Sequence, residues 1–162
     1  MGGLKKSKEA STQTGQEKGK EIRIVTKPVV TVADIMKNQR AIKLLYLISL
    51  ASSGISEKAL AHLVYGIEKN TNSKLGYNFV VLGDTPVSKE LINELTSLKY
   101  TGLVEVSLKN KKLYITSQGK EVLDKSLNTI QGSIDDLKKA FEEIWPKIAP
   151  IDVEASLKAV KR

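Results

Sequence analysis

The fold is decided by the stretch VSKELINELTSLKYTGLVEVSLKNKKLYITSQGKEVL, residues 87–123. Its first part repeats apolar residues at the spacing of one buried helical stripe, at Val87, Leu91, Leu95 and Leu98. Gly102 follows the stripe, as glycine commonly does where a helix ends. Two apolar runs then alternate with other residues, as strands do, on either side of a lysine-rich turn. The stretch therefore predicts a helix over 87–102 and a β-hairpin over 103–117.

Two further helices are predicted upstream of this stretch. The first spans residues 31–54, because Thr31 can cap its start, Asp34 can complete a capping box and Gly54 can end it. The second begins after Ser56, which can act as its cap. Its inner face has helical spacing and consists of Leu60, Leu63, Val64 and Ile67.

The segment between the second and third helices contains a strand candidate and a turn. The residues YNFVVL, 77–82, include the aromatic and β-branched side chains that strands favour. The residues GDTP, 83–86, follow as a turn. Pro86 suits the first position of the third helix, with Thr85 as its cap.

A long helical pattern begins at Thr116 and runs through the C-terminal part. Its apolar residues recur in steps of four and three, at Leu123, Leu127, Ile130, Ile134, Leu137, Phe141 and Ile144. This heptad spacing is typical of coiled coils, and it predicts a dimer interface. The predicted interface residues are Leu127, Ile130, Ile134, Leu137, Phe141 and Ile144. The alternative is that the same stripe packs within the chain, against Leu44, Leu45 and Ile48.

Two positions can interrupt the long pattern. Gly132, followed by Ser133 and Asp136, can restart a second helix, and Pro146 is expected to end or kink the helix.

Composition limits the class of protein. The chain has 162 residues, no cysteine and a net charge of +8, so disulfides and thiolate metal sites are excluded. Residues 1–20 contain almost no apolar side chains and are expected to be disordered, whereas EIRIV at 21–25 can form a short strand. No apolar run is long enough for a membrane span, so we expect no membrane partner and a cytoplasmic location, with association with the nucleoid as an alternative.

The order of the predicted elements is helix, helix, helix, hairpin and long helix. This order resembles prokaryotic (archaeal-like) winged helix-turn-helix regulators of the MarR and PadR type. The residues that carry the resemblance are Leu95, Leu98, Gly102, Leu103, Val104, Tyr114, Thr116 and Gly119. The resemblance implies a mainly α fold with a small β-hairpin, double-stranded DNA as partner and a homodimer. One departure is the insert between about Asn70 and Pro86, where the common pattern has a short turn.

The predicted organisation has three parts. Residues 1–27 form a basic disordered tail with a net charge of +4, residues 28–117 form the winged-helix domain, and residues 118–162 form the C-terminal dimerisation helix. The positive charge of the first two parts favours a polyanionic partner.

Two groups of residues are candidates for nucleic-acid contacts. On the third helix, the side chains free to face outward are Ser88, Lys89, Asn93, Thr96 and Lys99. Asparagine can pair with adenine, and lysine can bind guanine or phosphate. At the hairpin tip, the candidates for backbone contacts are Lys109, Asn110, Lys111 and Lys112. Glu90 and Glu94 on the third helix oppose this interpretation because carboxylates repel phosphate, and the alternative is a plain solvated face.

Enzymatic function finds little support in the sequence. The only histidine, His62, lies in a helix beside Ala61 and Leu63, which is typical of a structural residue. No nucleotide-binding or zinc-protease motif occurs, and the paired acids at 135–136 and 142–143 fit a solvated helix face. We therefore expect a protein that is not an enzyme and has no cofactor or metal.

Together these observations predict a dimeric winged-helix DNA-binding protein, either a transcription regulator or a chromatin-associated factor. The alternative is a winged-helix module that contacts RNA or protein in a ribosomal or polymerase assembly. The lysine-rich tail favours this alternative, whereas the heptad helix favours the regulator.

Overall fold

A computed structural model describes residues 30–71 and 73–160. The predicted disordered tail and the strand predicted at 21–25 lie outside the described residues. The described part is mainly helical, with two small antiparallel hairpins. In chain order the elements are α1 (Val32–Lys37), α2 (Gln39–Leu50), α3 (Glu57–Asn70), β1 (Val80–Leu82), β2 (Thr85–Val87), α4 (Lys89–Tyr100), β3 (Val104–Val106), β4 (Leu113–Ile115), α5 (Ser117–Ser126), a 3₁₀ segment (Leu127–Ser133) and α6 (Ile134–Val160).

The helix predicted over 31–54 is two helices. Its start is confirmed, because Thr31 and Asp34 form the reciprocal capping box. Asn38 interrupts it with extended backbone angles, and its side-chain oxygen accepts from the N–H groups of Arg40 and Ala41. Asn38 thus ends α1 and caps α2, which a helix-interior residue cannot do.

The core is built around α2 and α3. Most of α2 is buried, and the predicted inner face of α3 is confirmed, since its four residues are fully buried. Ser56 caps α3 through the N–H of Ala59. Both helices pack against α6, which places the C-terminal helix on the core of its own chain.

The first hairpin corrects the predicted start of the third helix. Thr85 and Pro86 belong to strand β2, and Ser88 is the cap of α4. Gly83 has a φ of +67° and Asp84 follows it in a two-residue turn, which suits a type II′ hairpin. Strand pairing with β1 therefore takes precedence over the helix start that proline suggested.

A helix and a hairpin are present within residues 87–123, with the helix limited to α4 and Val87 placed in β2. Helix α4 ends in a Schellman motif, with Gly102 at a φ of +80° and the N–H of Leu103 donating to the carbonyl of Leu98. Strands β3 and β4 pair as predicted. Leu113 also exchanges two backbone hydrogen bonds with Ile55, which fixes the hairpin to the segment before α3.

The long C-terminal pattern is divided by the 3₁₀ segment, in which Ile130 has non-helical angles. Beyond it, α6 continues through Pro146 and Pro150, so of the two expected outcomes at Pro146, an end or a kink, the end does not occur. Both prolines are exposed, whereas Ile144 and Ile148 are buried, so packing holds the helix across the missing hydrogen bonds. No described helix combines the length and apolar character needed to cross a bilayer.

The heptad stripe corrects the predicted dimer interface. Ile130, Leu137, Phe141 and Ile144 are 9% exposed or less, and Leu127 and Ile134 are half-buried against the same core. The stripe therefore packs within the chain, mainly on α3 and also on α2, the helix that carries the residues named in the alternative. A four–three spacing marks one buried face of a helix but does not tell which surface covers it.

Candidate nucleic-acid interface

Helix α4 is held at its start by Ser88. The Ser88 hydroxyl accepts from the N–H of Leu91 at 3.2 Å and donates to Glu90 at 3.0 Å. Ser88 is only 2% exposed. The prediction that Ser88 faces outward is therefore wrong, because the side chain serves as the helix cap.

The middle of α4 is fixed by a buried carboxylate. Glu94 is 7% exposed and accepts three hydrogen bonds from the Arg40 guanidinium, at 3.0–3.1 Å. The Tyr77 hydroxyl donates to Glu94 at 2.8 Å, and Arg40 also donates to the carbonyl of Gly76. This network ties α4 to the start of α2 and to the segment before β1, so it sets the position of the helix.

Charge and burial in this network shift the pKa values of its members. The hydrogen bonds to Glu94 raise the pKa of Arg40. Burial, followed by the Glu94 charge, raises the pKa of Tyr77 well above its usual range. Arg40 therefore stays charged and Tyr77 stays a hydrogen-bond donor wherever the protein is folded near neutral pH.

The second carboxylate of α4 is also engaged. Glu90 accepts from the Ser88 hydroxyl and from the N–H of Asn78 at 3.2 Å. These hydrogen bonds lower the pKa of Glu90, and the one from Ser88 has the largest effect. Both acids that opposed a phosphate-binding helix thus accept hydrogen bonds from the protein, and Glu94 is also buried.

The outward face of α4, defined here as Lys89, Asn93 and Thr96, is exposed. These positions follow one another at steps of four and three, and the exposed Tyr100 continues the row. The Thr96 hydroxyl donates to the carbonyl of Ile92, within the helix. Lys99 differs from the others, because it is half-buried and pairs with Glu57 at 3.1 Å.

The hairpin tip, defined here as Lys109 and Lys111, presents two exposed cations. Within the described part of the chain, neither lysine forms an ion pair. The turn is closed by backbone hydrogen bonds between Ser107 and residues 111 and 112, and Lys111 takes a φ of +60°. A compact turn of this kind fixes where the two ammonium groups leave the backbone.

The other two residues predicted at the tip have structural partners. Asn110 accepts from the N–H of Lys112 and donates to the Tyr114 hydroxyl, which donates in turn to the carbonyl of Ser53. The Lys112 ammonium is 2.8 Å from the Asp152 carboxylate, and the Lys112 side chain is only 15% exposed. Asn110 and Lys112 therefore shape the hairpin rather than extend its cationic surface.

Asp152 links three distant parts of the chain. One carboxylate oxygen accepts from the N–H of Ser56 at 2.7 Å, and the other binds Lys112. The carboxylate is 4% exposed, so the pair is largely removed from water. It connects α6 to the hairpin and to the start of α3.

Sequence reasoning missed the roles of Arg40, Tyr77, Glu94 and Asp152. Arg40 and Glu94 are 54 residues apart, and Asp152 is 96 residues from Ser56, so no local spacing joins the partners. One signal was present for Glu94, since it directly precedes Leu95 and lies three residues after Leu91 on the predicted apolar stripe.

The described residues form no candidate metal site. No cluster of three or more histidine or acidic side chains there could hold a metal ion. His62 is half-buried on α3, and burial, followed by the charge of Lys58, lowers its pKa.

The candidate site thus consists of two patches, the outward face of α4 and the hairpin tip. Each carries donors suited to nucleic acid, and each is held by buried polar contacts. Of the residues that the sequence predicted, three remain exposed on the outward face of α4 and two at the hairpin tip. No protein-family model, curated protein or solved structure matches the chain.

Proposed function

We propose that this chain is a winged-helix protein that binds duplex DNA. In this proposal the outward face of α4 enters the major groove, and the hairpin tip contacts the phosphate backbone. The order of helices α2, α3 and α4 followed by the β3–β4 hairpin supports the winged-helix assignment. The resemblance noted in the sequence points to the same arrangement.

The observation that carries the proposal is the separation of charge on α4. Its two carboxylates bond to groups of the protein, whereas Lys89, Asn93 and Thr96 are exposed on the outward face. A groove lined by phosphates repels exposed carboxylates and attracts ammonium groups. Arg40 therefore offsets the charge of Glu94, whereas Glu90 stays charged and bonds to the Ser88 hydroxyl and to the N–H of Asn78.

Each exposed residue has a definite role in the proposal. Asn93 pairs with an adenine edge in the major groove, for which an asparagine amide has matching donor and acceptor groups. Lys89, at the start of the helix, binds guanine or phosphate. Lys109 and Lys111 bind phosphates, which positions the protein without reading sequence.

A double substitution of the hairpin tip tests the proposal. Lys109→Ala with Lys111→Ala should weaken binding to all duplexes alike, and it should reduce the slope of log affinity against log salt by about two. The matched control is Lys138→Ala with Lys139→Ala, which removes the same charge from exposed positions of α6. Fluorescence anisotropy with labelled duplexes measures both quantities.

If the two double variants lower the slope equally, the effect comes from net charge and the proposed phosphate contacts are wrong.

A second substitution, Asn93→Ala, separates two kinds of DNA-binding protein. A loss of about 1–3 kcal/mol confined to certain sequences marks a transcription regulator, because one base contact has that value. Uniform affinity across sequences, before and after the change, marks a chromatin-associated factor.

A further inference from the structure

Strand β1 presents an apolar edge. Val80, Val81 and Leu82 are 63%, 48% and 62% exposed. Neighbouring residues of a strand point to opposite faces, so both faces of β1 are open. Proteins usually protect such an edge with a lysine, a proline or a covering element, because an open strand edge pairs readily with another strand.

The register of the hairpin shows which edge is open. The two-residue turn makes Leu82 and Thr85 the closing pair, so the backbone groups of Val81 and Pro86 point away from each other. Pro86 has no N–H to donate, which blocks the outer edge of β2. The N–H and C=O of Val81 remain at the outer edge of β1.

The hairpin is held in place by its other side. Strand β2 packs on α3, Pro86 is buried, and the Phe79 ring meets the Tyr65 ring edge-to-face at 5.3 Å. The N–H of Asn78 is bound by Glu90 of α4. The outer edge of β1 is therefore presented by an anchored element.

The sequence of β1 is complementary to itself. If two copies pair antiparallel about Val81, then Val80 faces Leu82 of the second copy and Asp84 faces Asn78. Residues 75–88 contain one charged side chain, Asp84, in a chain of net charge +8. The two copies thus meet where their positive charges do not oppose each other, and no like charges face across the pair.

We propose that β1 pairs with β1 of a second copy of this chain, which forms a four-stranded sheet with the two Val81 residues at its centre. This inference goes beyond the proposed function, and it holds whether or not the chain binds DNA. A two-stranded hairpin alone is only marginally stable, whereas a sheet of four strands is more stable. Three apolar side chains per copy are fewer than a stable interface of roughly 1,200–2,000 Å² contains. We therefore expect a dissociation constant between about 10 µM and 1 mM.

Cysteine crosslinking tests the pairing and its register. The chain has no cysteine, so Val81→Cys introduces a single thiol. In the proposed pair the two Cα atoms at position 81 are about 5.5 Å apart, within the range of about 4.4–6.8 Å that a disulfide requires. Under mild oxidation at about 100 µM, Val81→Cys should form covalent dimers at least about tenfold faster than Val153→Cys. Val153 is a suitable control because it is a valine of α6 that is 54% exposed.

Sedimentation without nucleic acid provides the second measurement. The wild type and Val153→Lys should associate as concentration rises, whereas Val81→Lys should remain monomeric, because a lysine on the edge blocks pairing. Equal crosslinking of the two cysteine variants would overturn the proposed register. A wild type that is monomeric at about 1 mM, or a Val81→Lys variant that associates as the wild type does, would overturn the proposal. In those cases the edge of β1 serves another partner or none.

Discussion

Replacing Glu94 by glutamine tests whether the buried network positions α4. The change keeps the shape of the side chain but removes its charge, and it turns an amide N–H₂ group toward donors of Arg40 or Tyr77. Arg40 makes three contacts with the carboxylate, and Tyr77 makes a fourth. The glutamine can satisfy at most part of this set.

The expected cost follows from the burial of the two partners. Glu94 is 7% exposed and Arg40 is 35% exposed, so the pair lies between a surface ion pair and a fully buried one. Surface pairs contribute about 0–1 kcal/mol, and breaking a buried pair costs about 3–5 kcal/mol. Because Arg40 can turn partly to water, we expect Glu94→Gln to lower the free energy of unfolding by about 2–3 kcal/mol.

Urea denaturation followed by circular dichroism measures this loss. The control is a cycle that includes Arg40→Met, Glu94→Met and the double variant. The double variant should lose less stability than the sum of the single variants, because it leaves neither charge without its partner. A loss below about 0.5 kcal/mol for Glu94→Gln, which is typical of a surface substitution, would refute the reasoning.

Three further predictions concern packing and pH. Ile144→Ala should cost about 2–5 kcal/mol, and its midpoint in urea should not depend on protein concentration, because Ile144 is buried within its own chain. Gly119→Ala should be strongly destabilising in a thermal melt, since an added Cβ would collide with the backbone carbonyl of Leu103, and Lys120→Ala beside it should have little effect. Because the pKa of His62 is lowered in the folded state, the unfolded chain binds more protons than the folded chain. The contribution of His62 to folding stability is therefore fully present above pH 6.5 and is lost as the pH falls through the lowered pKa. His62→Gln should flatten urea midpoints in this window, and an unchanged pH profile would contradict the assignment.

Local signals predicted much of the fold. Thr31 and Ser56 were predicted as helix caps, and each accepts the expected backbone hydrogen bond. Thr116, where the last helical pattern was predicted to begin, caps α5 in the same way. The β3–β4 hairpin was readable from alternation on either side of a turn. Caps and turns depend on residues three or four positions apart, so the sequence alone contains the relevant partners.

The errors arose where two local signals competed or where distant residues decided. Pro86 suits both a helix start and the outer edge of a hairpin, and the Gly83–Asp84 pair before it was the signal for the hairpin. Asn38 favours a cap over a helix interior, but the apolar residues on both sides of it indicated one continuous helix.

The candidate site was predictable in outline only. Lys89, Asn93 and Thr96 are exposed on α4, as their place opposite the apolar stripe suggested. Ser88 leaves the surface because it caps α4, a local role that the sequence analysis assigned to Thr85 instead. The loss of Lys112 could not be foreseen in the same way. Lys112 is withdrawn by Asp152, a residue 40 positions away in the chain, and only the packing of α6 brings the two together.

The most direct measurement of the central claim is the affinity of the full chain for a labelled duplex of mixed sequence at two salt concentrations, with structured RNA as competitor. Lys89, Lys109 and Lys111 together predict a loss of at least roughly fortyfold between about 50 and 200 mM salt, from a slope of about −0.9 for each phosphate contact. We predict that duplex binding shows this loss and that an equal mass of the RNA does not displace the duplex. Absence of duplex binding at the lower salt concentration, or complete displacement by the RNA, would contradict the account.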